Sequence, residues 1–379
     1  MKWQKRLYGW GRWMICLVGC IALCIGLAGA ADQTEQAARA EAQTQSDILT
    51  DALPHDAAQR MDGVTLDGGV GQAAAQLLDN TVQNGRSAWL SALSSLGKLL
   101  VVAVVCGLLQ SARAFAGGNE LPVVTMAGAL GMTGVFLSDL SGMMTLCQDT
   151  LHEVSTFSKA MLPVMAGAVT MTGAPTTATV LQGVTMFSFD LLVRFLTGVL
   201  LPGVGVYIAI VTVNTAVGGG LLGQLAGFIK WLITGSMKLT LTVFIAYLTI
   251  SGVIGGSADA LAVKTAKFAV SGSVPVVGGI ISDAAESMLA GAVLIRNTVG
   301  VMGMLCIAAL CVVPFVKVGC NYLLFKAGAA VLTPVCGNAL SGLVAGLSDS
   351  MGLMLGMLGT CSAILFFELV FSVTLVNPI

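Results

Sequence analysis

The sequence predicts an all-α polytopic membrane protein, and three observations support that class. Of the 379 residues, 56% are hydrophobic and only 10% are charged, whereas a soluble domain carries about 25% charged residues. Apolar runs of about 20 residues, the length of a transmembrane helix, recur from residue 93 onward. The alternating short segments of a membrane β-barrel are not visible in the sequence. The net charge of −1 offers no basic field for nucleic acid, so membrane lipid is the expected surrounding.

Residues 1–30 predict a secretory signal peptide. Basic residues precede the apolar run 13–27, and Ala28-Gly29-Ala30 fits the small-x-small rule for cleavage. Two alternatives stay open. One is lipidation at Cys20, which follows Leu17-Val18-Gly19, and the other is a retained membrane anchor.

Residues 31–92 predict an acidic segment outside the cytoplasm. It has three bases and nine acids, a net charge of 3 − 9 = −6, so an anionic membrane surface would repel it. From Ala73 onward, apolar residues recur at helical spacing and predict an amphipathic helix that leads into the membrane. That helix could dock a partner, or it could pack on the chain's own membrane domain.

Residues 93–379 predict a membrane domain of about eight helical spans. Their approximate bounds are 93–116, 121–146, 181–201, 203–222, 237–257, 288–312, 314–334 and 351–376. Two proline- and glycine-containing stretches, 160–180 and 268–286, predict broken or re-entrant hairpins, because proline lacks a backbone donor and glycine disfavours helix. Residues 223–236 predict a short interfacial helix. If residue 31 lies outside the cytoplasm, this order of spans places Lys264 inside.

The two broken stretches resemble each other and predict an internal repeat of units 157–202 and 268–314. The segment 162–167, Leu-Pro-Val-Met-Ala-Gly, matches 274–279, Val-Pro-Val-Val-Gly-Gly. In each unit, 39 residues separate the first proline from the one that ends the next span. An odd number of predicted spans lies between the hairpins, so the units would enter the membrane from opposite faces, as in the inverted repeats of secondary transporters. Chance similarity between glycine- and valine-rich segments is the alternative.

Charges within the predicted membrane domain, together with the two hairpins, define the candidate site. A charge in the membrane is costly and marks a functional position by default. Asp190 and Arg194 stand four residues apart, so they share a helix face and can pair, either for function or for structure. If the two hairpins meet, one polar cavity or pore would be bordered by Pro163, Gly167, Asp190, Arg194, Pro275, Gly278, Gly279, Asp283, Glu286 and Arg296. Asp283 and Glu286 could instead lie at the membrane interface.

Other positions have a structural interpretation. Four charged residues close to predicted span ends are expected at the interface: Asp139, Lys317, Lys326 and Glu368. Small residues spaced by four allow helices to approach closely, and two such pairs are Gly342 with Gly346 and Gly352 with Gly356. In a chain with 47 glycines, chance spacing is the alternative.

No pattern in the sequence predicts catalysis, and neither an enzyme activity nor a cofactor is expected. The chain has two histidines, His55 and His152, and neither belongs to a zinc-binding motif. A formal GxGxxG pattern at 218–223 follows an apolar span and not a strand, so it does not indicate dinucleotide binding. No P-loop occurs, so any ATP hydrolysis must come from a partner.

The second hairpin also carries a family resemblance. The runs 267–270 and 274–279, then Ser282-Asp283-Ala284, Arg296-Asn297 and the segment 313–317, resemble the stage III sporulation protein AE family. The similarity covers about residues 90–379 and is sharpest over 236–335. The resemblance implies a membrane subunit of the channel complex between mother cell and forespore, located in the mother-cell membrane around the forespore and needed after engulfment. It also implies partners from the same operon, including ring-forming subunits and a subunit similar to secretion ATPases.

Three functions therefore remain in competition. The first is the sporulation-specific transport or secretion subunit that the resemblance implies. The second is a stand-alone secondary transporter, which the paired hairpins favour. The third is a structural membrane scaffold, which the absence of catalytic motifs favours.

Overall fold

The described part of the chain is all-helical, as predicted, and contains no strand. A computed structural model describes residues 46–61, 89–90, 92–108, 122–171, 175–217, 221–273 and 278–374. After a short helical segment at 46–51, the helices are α1 His55–Met61, α2 Ala92–Leu108, α3 Pro122–Met171, α4 Pro175–Phe195, α5 Leu201–Val217, α6 Leu221–Ser273 and α7 Gly278–Thr374. The predicted signal peptide lies outside the described residues.

Helices α4 and α5 form one continuous rod, because a π-helical segment at Leu196–Leu200 joins them. Pro202, which cannot donate a backbone hydrogen bond, lies two residues beyond this segment. The Leu201 N–H donates to the carbonyl of Leu196, and the Thr197 hydroxyl donates to the carbonyl of Val193 at 2.8 Å. Local π-helical adjustments of this kind accompany prolines in membrane helices. The boundary predicted between spans 181–201 and 203–222 is therefore not a helix end.

Three other predicted breaks or boundaries also lie within continuous helix. Pro163 lies inside α3, and Pro314 lies inside α7, where we had predicted a boundary between spans. Residues 223–236, predicted as a separate interfacial helix, are part of α6. Proline marks a place where a helix can bend or end, but packing on neighbouring helices here keeps each rod continuous.

Helix α7 folds back on itself at Gly337. This glycine has φ 73° and ψ 179°, a conformation that residues with a Cβ rarely adopt. Beyond it the two arms run antiparallel, since the Ser348 hydroxyl donates to the carbonyl of Tyr322 at 3.0 Å and Gly303 lies against Leu369. We call the segments before and after Gly337 the first and second arms of α7.

Helix α3 runs along both arms of α7 and along the α4–α5 rod. The Phe136 and Phe325 rings meet edge to face at 5.3 Å, and Met161 lies against Gly303, so α3 is antiparallel to the first arm. The Thr133 and Thr212 hydroxyls are 3.0 Å apart, which places α5 beside the first part of α3. The side chains between these contacts form one apolar core.

Helix α6 completes the bundle beside the second arm of α7. Lys230 pairs with Asp349, and Met237 lies near Gly356, so the two segments run parallel. Helix α2 packs on α3, where Gly128 lies near Cys106, and on α7 beside the Gly337 turn, where the Cys336 thiol donates to the carbonyl of Ala103 at 2.9 Å.

Glycines allow several of these close contacts, and three of the four glycines in the two predicted pairs are among them. A Cβ on Gly346 would lie 2.5 Å from Val211, and one on Gly356 would lie 3.2 Å from Met237. A Cβ on Gly352 would lie 3.1 Å from Tyr322, whereas one on Gly342 would meet nothing within 4 Å. Three of the four glycines therefore lie at helix contacts.

The described residues include five helical segments that are long and apolar enough to cross a membrane. They are Val123–Gly167, Thr185–Val217, Leu222–Ile250, Thr298–Pro334 and Cys336–Val373. Their lengths, 29 to 45 residues, exceed the roughly 20 residues that one crossing needs. The predicted membrane-helix class is therefore confirmed, and the rods among the described residues are longer than the predicted spans.

Candidate functional site

The first predicted hairpin is mostly regular helix. Pro163 and Gly167 lie within α3, which continues to Met171, and α4 begins at Pro175. Residues 172–174 lie outside the described residues, and the rest of the predicted 160–180 is helical. Pro163 is exposed on the bundle surface.

Only residues 274–277 of the second predicted hairpin, 268–286, lie outside the described residues, and the rest belongs to the end of α6 and the start of α7. Pro275 is not described, and Gly278 and Gly279 begin α7. Asp283, Glu286 and Arg296 lie on α7, but their side chains are not among those described. The predicted meeting of the two units around one polar cavity therefore remains a prediction.

Asp190 binds two cations and joins α3 to α4. Arg194 Nε donates to Asp190 Oδ2 at 2.7 Å, the pairing that the four-residue spacing predicted. Lys159 Nζ donates to the other carboxylate oxygen at 2.7 Å. Sequence reasoning missed Lys159, because its contact depends on α3 packing against α4. We call these three residues the Asp190 cluster.

Asp349 is the centre of a second cluster of the same kind. Lys230 of α6 and Lys326 of the first arm of α7 bind its two carboxylate oxygens at 2.5 and 3.0 Å. We call these three residues the Asp349 cluster. Sequence reasoning placed Lys326 at the interface and did not single out Asp349. No local spacing links these positions, since they lie on three separate helical segments.

The two clusters lie at different levels along the bundle. Lys326 follows Phe325, which contacts Phe136 of α3, and Lys159 lies 23 residues beyond Phe136 on that helix. At the helical rise, 23 residues correspond to about 35 Å, close to the ~30 Å hydrocarbon core of a bilayer. The segment between the clusters is therefore about as long as a membrane is thick.

Glu368 lies inside the bundle and not at the interface as we had predicted. It is only 2% exposed, and neither of its carboxylate oxygens has a hydrogen-bond partner in the structure. The buried hydroxyls of Ser158 and Thr185 also lack partners. Hydropathy did not predict this burial. Glu368 lies near the end of an apolar run, where a charged residue is expected at the membrane interface. A buried carboxyl without a partner is costly and is a functional candidate by default.

The described residues provide no site for a metal ion. No group of three or more histidine, cysteine or acidic side chains among them is arranged to hold one. The seven cysteines described there are free thiols, and six of them are buried. They behave as small apolar side chains of the core.

Comparisons with known proteins point to one family. The family model described as stage III sporulation protein AE matches residues 58–376. The chain is 22% identical over 283 residues to the stage III sporulation protein AE of Bacillus subtilis (strain 168), which covers 74% of this chain and 71% of the relative. No solved structure matches the chain.

Proposed function

The chain belongs to the stage III sporulation protein AE family, and from this premise we propose that it is an integral membrane subunit of a transport or secretion complex used during sporulation. The observation that carries this proposal is the family match across most of a chain whose described helices are long and apolar enough to span a membrane. The proposed location is the mother-cell membrane around the forespore. The proposed partners are the ring-forming subunits and the subunit similar to secretion ATPases from the same operon.

Two features of the sequence are consistent with such partners. Its sequence has no P-loop, so energy from ATP would have to be supplied by another subunit. The acidic segment 31–92, with a net charge of −6, is a candidate docking region for a basic partner outside the cytoplasm.

A stand-alone secondary transporter is the second candidate, and Glu368 is the observation that favours it. Transporters place ionisable groups inside the helical bundle, where these groups bind protons or coupling ions. Glu368 is buried on the second arm of α7 with both carboxylate oxygens unpaired. A structural scaffold, the third candidate, would not require such a group.

Deletion of the gene in its spore-forming host tests the proposal. We expect normal vegetative growth and an arrest of spore formation after engulfment, and we expect the chain to copurify with the proposed partners from sporulating cells in mild detergent. Normal sporulation of the deletion strain would refute the proposal. A solute-uptake defect in growing cells would instead favour the transporter.

A further inference from the structure

Glu368 is one of four residues at one level of the bundle whose buried polar atoms have no partner. Among the described residues, seven buried side-chain oxygen or nitrogen atoms lack a hydrogen-bond partner. Five of them belong to Glu368 of the second arm of α7, Ser158 of α3, Thr185 of α4 and Tyr247 of α6. The large majority of buried polar atoms in proteins are hydrogen-bonded, so this concentration of unpaired atoms requires an explanation.

A contact at Gly303 places Ser158 at the level of Glu368. A Cβ on Gly303 would lie 3.1 Å from Leu369, the residue after Glu368, and 3.6 Å from Met161 of α3. Ser158 lies three residues before Met161, on the same face of the helix, and is 1% exposed. The Ser158 hydroxyl and the Glu368 carboxyl are therefore within about two helical turns of each other along the bundle.

The Asp190 cluster places Thr185 near the same level. Asp190 of α4 pairs with Lys159, the residue after Ser158. Thr185 lies five residues before Asp190, about 8 Å along the helix, and its side chain is fully buried. The Thr185 hydroxyl therefore lies inside the bundle, within about two turns of Ser158.

The contact between α6 and the second arm of α7 places Tyr247 at this level as well. Met237 lies 3.2 Å from the position of a Cβ on Gly356, and the two segments run parallel. Tyr247 follows Met237 by ten residues, and the tenth residue after Gly356 is two residues before Glu368. The buried Tyr247 hydroxyl is therefore level with the carboxyl.

The charged groups described near this level do not neutralise Glu368. Lys159, Asp190 and Arg194 pair with one another, and their side chains are 30% to 78% exposed. On α3, His152 is exposed, and Glu153 is partly exposed and acidic. The remaining titratable groups near this level are the Tyr247 phenol and the buried thiols of Cys147, Cys306, Cys311 and Cys361.

A carboxyl in these surroundings costs least when it carries its proton. An ionised carboxylate without a partner is far more costly in an apolar interior than a neutral polar group. Once ionised, a carboxylate accepts several hydrogen bonds, and each of the three hydroxyls has one O–H to donate. The same set of residues therefore suits both protonation states, first with the hydroxyls apart from the carboxyl and then with the hydroxyls turned towards it.

We propose that Glu368 is a proton-binding site inside the helical bundle, and that the hydroxyls of Ser158, Thr185 and Tyr247 donate to its carboxylate when the proton leaves. Binding converts the carboxylate to a neutral acid, and release returns the proton to water. The inference deepens the transport role proposed above and rests on it, because carboxyls inside the membrane act as proton relays in pumps and transporters. Ionisation would draw α3, α4 and α6 towards the second arm of α7.

Infrared spectroscopy of the full chain in lipid vesicles tests proton binding, because a neutral carboxylic acid has a carbonyl band that a carboxylate lacks. At about pH 6, where an ordinary glutamate is ionised, we expect this band in the wild type. We expect its loss in Glu368→Gln, its retention in the control Glu153→Gln, and its disappearance from the wild type in alkaline buffer. Identical spectra of wild type and Glu368→Gln at about pH 6, or a band that persists in alkaline buffer, would overturn the site.

Exchange of the cation tests whether the ligand is a proton. The wild-type spectrum at about pH 6 is recorded in choline buffer and again in sodium buffer. We expect the same carbonyl band in both, since a proton site does not depend on the cation of the buffer. Loss of the band in sodium buffer would show that sodium ions compete for the carboxylate, and would overturn the assignment to a proton alone.

Removal of single hydroxyls tests the proposed donors. The carboxylate band of Glu368 in alkaline buffer is obtained as the difference between each variant and the same variant carrying Glu368→Gln. We expect this band to shift in Ser158→Ala and in Thr185→Ala, because the carboxylate loses a hydrogen bond. Thr150→Ala is the control, since the buried Thr150 hydroxyl already donates to the carbonyl of Leu146 at 2.7 Å. An unchanged band in all three variants would overturn the role of the hydroxyls.

The proposed function and the proton site fail independently. A strain that sporulates without the gene overturns the function and leaves the infrared bands unchanged. Absence of the Glu368 band, in a strain that needs the gene to sporulate, overturns only the proton site. In such a strain Glu368→Asp should sporulate better than Glu368→Gln, because only the aspartate can take up a proton, and equal sporulation would overturn the link between the proton and transport.

Discussion

A carboxylate bound by two cations occurs twice among the described residues, and each time it connects separate helical segments. Asp190 joins α3 to α4, and Asp349 joins α6 to both arms of α7. In each cluster the single acid is the shared partner, so its removal leaves two cations facing each other. The local pair of Asp190 with Arg194 could be predicted from spacing alone. The cations contributed by other helices could not, because they depend on tertiary packing.

We therefore expect Asp190→Asn to destabilise the protein more than Arg194→Gln. The first change removes both ion pairs and leaves Lys159 and Arg194 without a counter-charge, whereas the second removes one partner whose side chain is 78% exposed. Thermal unfolding of the detergent-solubilised protein measures both variants against wild type. Equal Tm values for Asp190→Asn and wild type would show that the cluster does not support α3–α4 packing.

Glu368→Met should raise the apparent Tm. The substitution removes a buried carboxyl without a partner, and an unsatisfied buried polar group costs about 1–3 kcal/mol, more when charged. Leu365→Met, 1% exposed on the same helix, is the matched control and should cost less than about 1.5 kcal/mol. A lower Tm for Glu368→Met would mean that the carboxyl has a stabilising contact. If Glu368 also acts in transport, the stabilised variant loses sporulation.

At the scale of helices, glycine spacing predicted close packing better than proline predicted helix ends. A glycine removes a side chain from one face whatever the fold, so its spacing reports directly on how closely helices can approach. A proline removes one donor, and whether the helix ends depends on what else can satisfy the freed carbonyl. Before Pro202 the rod continues through a π-helical segment, which the sequence pattern alone does not reveal.

Gly346→Ala should destabilise the contact between α5 and the second arm of α7. A Cβ at this position would lie 2.5 Å from a methyl group of Val211, and a β-branched side chain has little freedom to move away. Overpacking of this kind costs about 1–3 kcal/mol.

Gly342→Ala, one turn earlier on the same helix, is the control, because a Cβ there meets nothing within 4 Å. It should stabilise by up to about 1 kcal/mol through helix propensity alone. Thermal unfolding of both variants checks the difference, and similar values would show that α5 can move aside.

Gly337→Ala should weaken the turn between the two arms of α7 without any clash. A Cβ at Gly337 has open space, but the backbone conformation of φ 73° and ψ 179° is almost restricted to glycine. Residues held in such regions cost about 1–3 kcal/mol. We expect a lower Tm together with faster proteolysis near residue 337. Unchanged unfolding would mean that the turn relaxes to another conformation.

At the scale of the molecule, hydropathy predicted the membrane-helix class. The bounds and arrangement of the helices depend on how they pack, and hydropathy did not predict them. Every candidate span among the described helices falls within the predicted membrane domain 93–379. The bounds differ because apolar sequence also continues where helices pack on one another, so hydropathy alone cannot distinguish one long rod from two short spans. The candidate site shows the same limit. The burial of Glu368 becomes apparent only when the neighbours of its helix are known.

The continuous rods change the expected topology, and three positions test it. Helix α6 runs parallel to the second arm of α7, because Lys230 pairs with Asp349 and Met237 meets Gly356. The start of α6, near Gln224, and the turn beside Asn338 therefore lie at one end of the bundle. Lys264, in the last part of α6, lies towards the opposite end.

The eight predicted spans would instead place Lys264 on the same side as Asn338 and Gln224 on the other. We therefore expect an impermeant thiol reagent to label Gln224→Cys and Asn338→Cys from one side of the membrane and Lys264→Cys from the other, in intact cells compared with inverted vesicles. This result would follow because each long rod crosses the bilayer once, which leaves its two ends on opposite sides. Labelling of Lys264→Cys and Asn338→Cys from the same side would show that at least one of the rods does not cross in this way. The comparison needs no assumption about the signal peptide, because only the relative sides of the three positions are used.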